Sequence, residues 1–111
     1  MAYLRKEKET VETDYSLDKV WTAIPKVLTN LEWNIEKIDD TVHQVKAKTK
    51  SGLMSWGSVL QIDVIAVGKN TTRVSVLAET PVTTITSMVD FGRARQRIDL
   101  FFAELQKQLI S

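Results

Sequence analysis

Residues 58–79 read Ser-Val-Leu-Gln-Ile-Asp-Val-Ile-Ala-Val-Gly-Lys-Asn-Thr-Thr-Arg-Val-Ser-Val-Leu-Ala-Glu, and they decide the architecture. Leu60, Ile62, Val64 and Ala66 alternate with Gln61 and Asp63. This period of two places one apolar face on a strand spanning 58–67. Ile65 and Val67 make its other face partly apolar as well. Gly68-Lys69-Asn70-Thr71 is a hairpin connection. The return strand, Thr72–Glu79, sets Val74, Val76 and Ala78 against Arg73, Ser75 and Glu79. Pro81, which cannot donate to a sheet ladder, is expected to end it.

Working back from this hairpin, Val45, Ala47 and Thr49 alternate with Gln44, Lys46 and Lys48, which predicts a strand over Val42–Thr49. The break Asp39-Asp40-Thr41 separates it from a strand in which Trp33, Ile35 and Lys37 alternate with Asn34 and Glu36. Upstream, Leu17, Val20, Trp21, Ile24, Val27, Leu28 and Leu31 trace one helical stripe behind a Ser16 cap. Pro25 removes the amide that would bond the Trp21 carbonyl, so a kink is expected near 21–25. The stripe keeps its phase across Pro25, which favours one helix. Glu7–Tyr15 reads as a charged edge strand, with Val11, Thr13 and Tyr15 on one face. Downstream, Asp90 caps a last helix whose stripe is Ala94, Ile98, Phe101, Phe102, Leu105 and Leu109.

The order β-α-β4-α predicts an α+β fold. A curved antiparallel sheet is packed by a kinked N-terminal helix and a long C-terminal helix. The 111 residues hold no linker, repeat or low-complexity segment, and 1–111 reads as a single domain. A composition 43% hydrophobic and 26% charged is that of a globular chain. With no cysteine, disulfides, zinc–thiolate sites and thiol catalysis are excluded. Fifteen basic and fourteen acidic side chains leave a net charge of +1, without the basic excess of a duplex-binding domain, so nucleic acid is not the expected partner. No apolar stretch approaches the roughly 20 residues of a transmembrane span, and the charged start has no signal-peptide pattern. The expected location is the cytoplasm.

Four segments carry a family resemblance: Tyr-Ser-Leu-Asp-Lys-Val-Trp (15–21), Leu-Glu-Trp-Asn-Ile (31–35), Ser-Trp-Gly (55–57) and Asp-Phe-Gly-Arg-Ala-Arg-Gln-Arg-Ile (90–98). In this order the chain resembles small, mostly bacterial, uncharacterised helix-grip domains of the START-like and birch-pollen-allergen-like type. The resemblance spans nearly the whole chain and implies the fold. Larger helix-grip proteins often hold apolar ligands between sheet and C-terminal helix. The resemblance therefore implies such a site here, in a smaller cavity because the strands are fewer.

Read as residues, the loop 50–58 places Leu53, Met54 and Trp56 between Gly52 and Gly57. Large apolar side chains in a connection need a reason. Either the segment is a lid or contact loop, or Trp56 plugs the open end of the core. The connection 80–90 adds Ile85 and Met88, and antiparallel geometry brings the two loops to one end of the domain. Candidate ligand contacts are Met54, Trp56, Phe91, Ile98 and Phe102, and candidate interaction residues are Leu53, Ile85 and Met88. Arg93 and Arg97, four apart at a helix start, are a candidate anion site, although solvated or ion-paired arginines explain them as well, and Arg95 is placed to pair with Asp99. His43, the single histidine, has no nucleophile or orienting acid beside it in sequence and reads as a strand-edge residue. No metal-ligand spacing occurs, and no cofactor is expected.

Two functions follow as expectations. One is a non-enzymatic binding domain with a small apolar ligand between sheet and C-terminal helix. The other is a protein-interaction or self-assembling domain that uses loops 50–58 and 80–90 with a homo-oligomeric or protein partner.

Overall fold

The computed structural model describes residues 3–49, 59–82 and 93–110; for 3–6, 80–82 and 93–94 it describes the backbone alone. The elements are β1 (Tyr3–Thr13), α1 (Leu17–Asn30), β2 (Asn34–Asp39), β3 (Gln44–Lys48), β4 (Val59–Gly68), β5 (Thr71–Val82) and α2 (Arg93–Ile110). This is the predicted β-α-β4-α order. The strands form one antiparallel sheet in the order β1-β5-β4-β3-β2, so the first strand closes against the last and both β1 and β2 lie at edges.

Local chemistry explains the helix limits. The Ser16 hydroxyl accepts from the Lys19 amide and caps α1. At the other end Glu32 takes a left-handed φ of 61°, and the amides of Glu32 and Trp33 return to the carbonyls of Thr29 and Leu28. That pair of bonds is a Schellman closure. The helix runs as one element through Pro25, as the unbroken stripe predicted. Val20, Ala23, Ile24, Val27 and Leu28 are buried on α1, and Ile98, Phe101, Leu105 and Leu109 on α2. They meet Val45, Ala47, Leu60, Ile62, Val64, Val74, Val76 and Ala78 from the sheet. Each fully buried large aliphatic or aromatic side chain stabilises the fold by about 1.5–3 kcal/mol.

Four expectations need correction. The first strand spans Tyr3–Thr13, so it begins earlier than Glu7, and Tyr15 lies beyond its end, half-buried against the core. In β2 the register slips between Ile35 and Lys37, so Ile35 stands opposite Ala47 and Ile38 opposite Val45, whereas Lys37 faces Lys46 on the solvent side. The bulge inserts one residue and flips the alternation, which is why Lys37 does not share the face of Ile35. Ala66 is exposed, at the end of β4 beside its own bulge at Ala66/Gly68. Pro81 does not end β5: it stands opposite Leu4 of β1. Position 81 pairs with β1, and β5 runs on to Val82 opposite Tyr3.

Candidate functional site

The inward positions of β1 read Glu7, Glu9, Val11 and Thr13, because Val11 stands opposite buried Val74 and Glu9 opposite buried Val76. Near the end of the strand these positions carry short side chains. The chain then turns through Asp14 and Tyr15 into α1. The last turns of α2 pass over this corner with Phe102, Leu105 and Leu109 on the facing stripe. Between the corner and the helix lies a cleft of about 450 Å³. Val11, Phe102, Leu105 and Leu109 supply its apolar walls; Glu12, Thr13, Asp14, Tyr15 and Gln106 supply the polar ones.

Part-buried hydrogen bonds hold the corner. The Thr72 hydroxyl donates to the Tyr15 carbonyl at 2.7 Å, and the Thr13 hydroxyl donates to the Thr72 carbonyl at 3.3 Å. Thr72 is fully buried. On the solvent face Glu12 accepts from the Arg73 guanidinium, at 3.0 Å from Nη2 and 3.3 Å from Nε. Lys19 places its ammonium 4.8 Å from the centroid of the Tyr15 ring, a cation–π contact. Asp14 is exposed and makes no hydrogen bond or ion pair among the described residues. Further along α2, Glu104 accepts from Asn30 of α1 at 3.1 Å and from Gln108 at 3.0 Å. The hydrogen bond from Gln108, then that from Asn30, holds the Glu104 carboxyl below its ordinary range.

Of the sequence-derived ligand contacts, Phe102 lines this cleft. Ile98 is instead fully buried in the core and is not on the lining of the cleft. Met54, Trp56 and Phe91 lie outside the described residues, as do Leu53, Ile85 and Met88. Val59 opposite Glu79 does put the start of β4 beside the end of β5, while the cleft sits at the other end of the sheet, where β1 stops and β5 starts. For the candidate anion site, the Arg93 side chain is outside the described set, and Arg97 is half-buried and already engaged. Arg95 pairs with Asp99 at 3.5 Å as its spacing implied, and also with Glu9 of β1 at 2.7 Å, a partner that spacing could not reveal. The bond from Glu9 raises the Arg95 pKa above its ordinary value.

His43 is not on a strand edge. It occupies the turn before β3 with φ 56° and meets Trp21 edge-on at 5.0 Å. The Trp21 indole donates to Asp40 Oδ1 at 2.8 Å. No group of three or more His, Asp or Glu side chains suited to a metal occurs among the described residues. No described helix is long and apolar enough to cross a membrane.

No family model matches the chain, and no curated protein matches it. Solved structures do. Norcoclaurine synthase from Thalictrum flavum, in complex with dopamine and hydroxybenzaldehyde, superposes with a TM-score of 0.69 at 12% identity, over 98% of this chain and 88% of that one. A START superfamily protein from Mycobacterium smegmatis gives 0.66 at 10% identity, over 94% and 96%. The fold is a helix grip. An uncharacterised protein from Bacillus thuringiensis shares it with a TM-score of 0.63 at 14% identity, over 95% and 96% of the two chains. At these identities the likeness speaks for the helix-grip architecture alone. The site of the present helix grip rests on its own residues.

Proposed function

We propose that the domain is a non-enzymatic binding module that holds a small, largely apolar ligand between the β1–α1 corner and the C-terminal helix. The observation that carries this reading is the 450 Å³ cleft walled by Val11, Phe102, Leu105 and Leu109. Its volume falls within the roughly 300–1,000 Å³ common for small-molecule sites. That norcoclaurine synthase of the same fold takes up two single-ring compounds supports a ligand of that size. The reading is binding rather than catalysis because the described lining offers Asp14 and Tyr15 no His or Lys to work with, and Glu12 is tied to Arg73. General acid–base chemistry needs a pair of groups with separated roles.

The test is a titration of isotope-labelled protein with indole and 2-phenylethanol, followed by NMR. Shifts concentrated on Val11, Phe102, Leu105 and Leu109 are expected. Saturating additions that leave these residues unmoved would sink the proposal.

A second reading, self-association, is favoured by exposed apolar side chains on and beside edge strand β2: Ile35 is 41% exposed, Ile38 43% and Val42 55%. Concentration-dependent sedimentation that Ile38→Lys abolishes is the expected result for it. A monomer at millimolar concentration removes it.

A further inference from the structure

The cleft has a charge character as well as a shape, and the following inference rests on the binding role just proposed. Its described lining contains two carboxylates, Glu12 and Asp14, and no cationic side chain. The two are not equivalent. Glu12 is neutralised by Arg73 across the β1–β5 ladder. Asp14 is an exposed lining residue without an ion pair or hydrogen bond among the described residues. Lys19, which follows in α1, is directed to the ring of Tyr15 at 4.8 Å and makes no salt bridge to Asp14. An occupant resting on Phe102, Leu105 and Leu109 therefore shares the cleft with an exposed carboxylate that no described ion pair or hydrogen bond engages. A carboxylate head group is repelled there, and an ammonium is attracted. Gln106 and Thr13, also on the lining, add hydrogen-bonding groups that serve a charged head without changing the sign of the field.

We propose that the ligand class is a small amphipathic amine, its hydrocarbon or aromatic body against Phe102, Leu105 and Leu109 and its ammonium at Asp14. The contact is solvent-exposed, so the charge acts as a selector and not as the main source of affinity. An exposed pair contributes a preference of roughly two- to fivefold over an uncharged head. The corresponding repulsion of an anion widens the amine-to-carboxylate ratio to roughly four- to twenty-fivefold. Fatty acids, with the same apolar body and the opposite head, are selected against.

The experiment compares three probes of matched size, phenethylamine, 2-phenylethanol and phenylacetate, by NMR titration of the whole chain read at Val11, Leu105 and Leu109. Each is measured in low salt, in 1 M NaCl and on Asp14→Asn. The amine is expected to bind tightest and the carboxylate weakest. The amine's advantage over the alcohol should vanish on Asp14→Asn and shrink in 1 M NaCl, with alcohol affinity little changed. An alcohol that matches the amine in wild-type protein, or an order that survives Asp14→Asn, overturns the amine assignment and leaves the apolar cleft standing. Failure of all three probes to shift the cleft residues overturns the binding role itself, and the amine assignment with it.

Discussion

The hydroxyl of Thr72 donates to the backbone carbonyl of Tyr15 at 2.7 Å, which fastens the start of β5 to the point where β1 turns into α1. Fifty-seven residues separate the partners in sequence, and the bond forms where Thr72 is fully buried. Removing the donor while keeping the shape leaves a carbonyl in low-dielectric surroundings without its partner. Thr72→Val is therefore expected to cost about 1–3 kcal/mol. In thermal melts that is a fall of several degrees for a domain of this size. Thr13→Val, which loses a longer bond at a half-buried site, should cost less. Equal melting temperatures for wild type and Thr72→Val would contradict this account.

The adjacent rings Phe101 and Phe102 stand edge-to-face at 5.4 Å, yet they serve different ends. Phe101 is fully buried, whereas Phe102 is half-buried on the cleft wall. Phe101→Ala is expected to cost about 3–5 kcal/mol in urea denaturation, through lost burial and the cavity left behind. Phe102→Ala should cost clearly less but abolish the shifts caused by apolar probes. The reverse ranking of stabilities would mean that the helix is turned differently over the sheet.

Trp21 ties α1 to the β2–β3 turn by its indole bond to Asp40, and its ring packs edge-on against His43. Trp21→Phe retains a ring but not the donor. A double-mutant cycle between Trp21→Phe and Asp40→Ala, measured by chemical denaturation, should return a coupling of about 0.5–1.5 kcal/mol. A coupling of zero would show that water replaces the bond without loss.

Glu104 gives the fold an acid-sensitive contact. Its carboxyl is held below the ordinary range by hydrogen bonds from Gln108 and Asn30. A depressed folded pKa means that the ionised form is favoured in the native state. Its stabilisation is thus fully present above the unfolded value, roughly 4.3. It is lost as pH falls through the lower folded value. The stability gap between wild type and Glu104→Gln should be constant near neutrality and close on acidification below that point. Denaturation midpoints taken from pH 7 down to 3 check it; a gap that widened in acid would reverse the sign of the contact.

The legible part of this protein was local. The phase of the α1 stripe across Pro25, the Ser16 cap, the alternation in β3 and the β4–β5 hairpin each arise from neighbours in the chain, and each appears where it was expected. The errors fell where non-neighbours decide. The β2 bulge moved Lys37 outward because β3 sets the register, and β5 runs on through Pro81 because β1 pairs alongside it, with Leu4 opposite. The cleft belongs to the same class. Val11, Thr13 and Tyr15 were visible as one face, and Phe102, Leu105 and Leu109 as one stripe, but nothing within either segment tells that the two face each other.

What the sequence determined by itself is therefore the grip: which residues are strand, which are helix, and which side of each is apolar, since periodicity follows from backbone geometry and hydrophobicity alone. What only the tertiary structure decided is where the grip stays open. Thr72 anchors the corner, α2 passes over short side chains at the end of β1, and Arg73 neutralises Glu12 but not Asp14. Each of these is a contact between residues far apart in the chain, and packing of the whole domain is what brings them within reach.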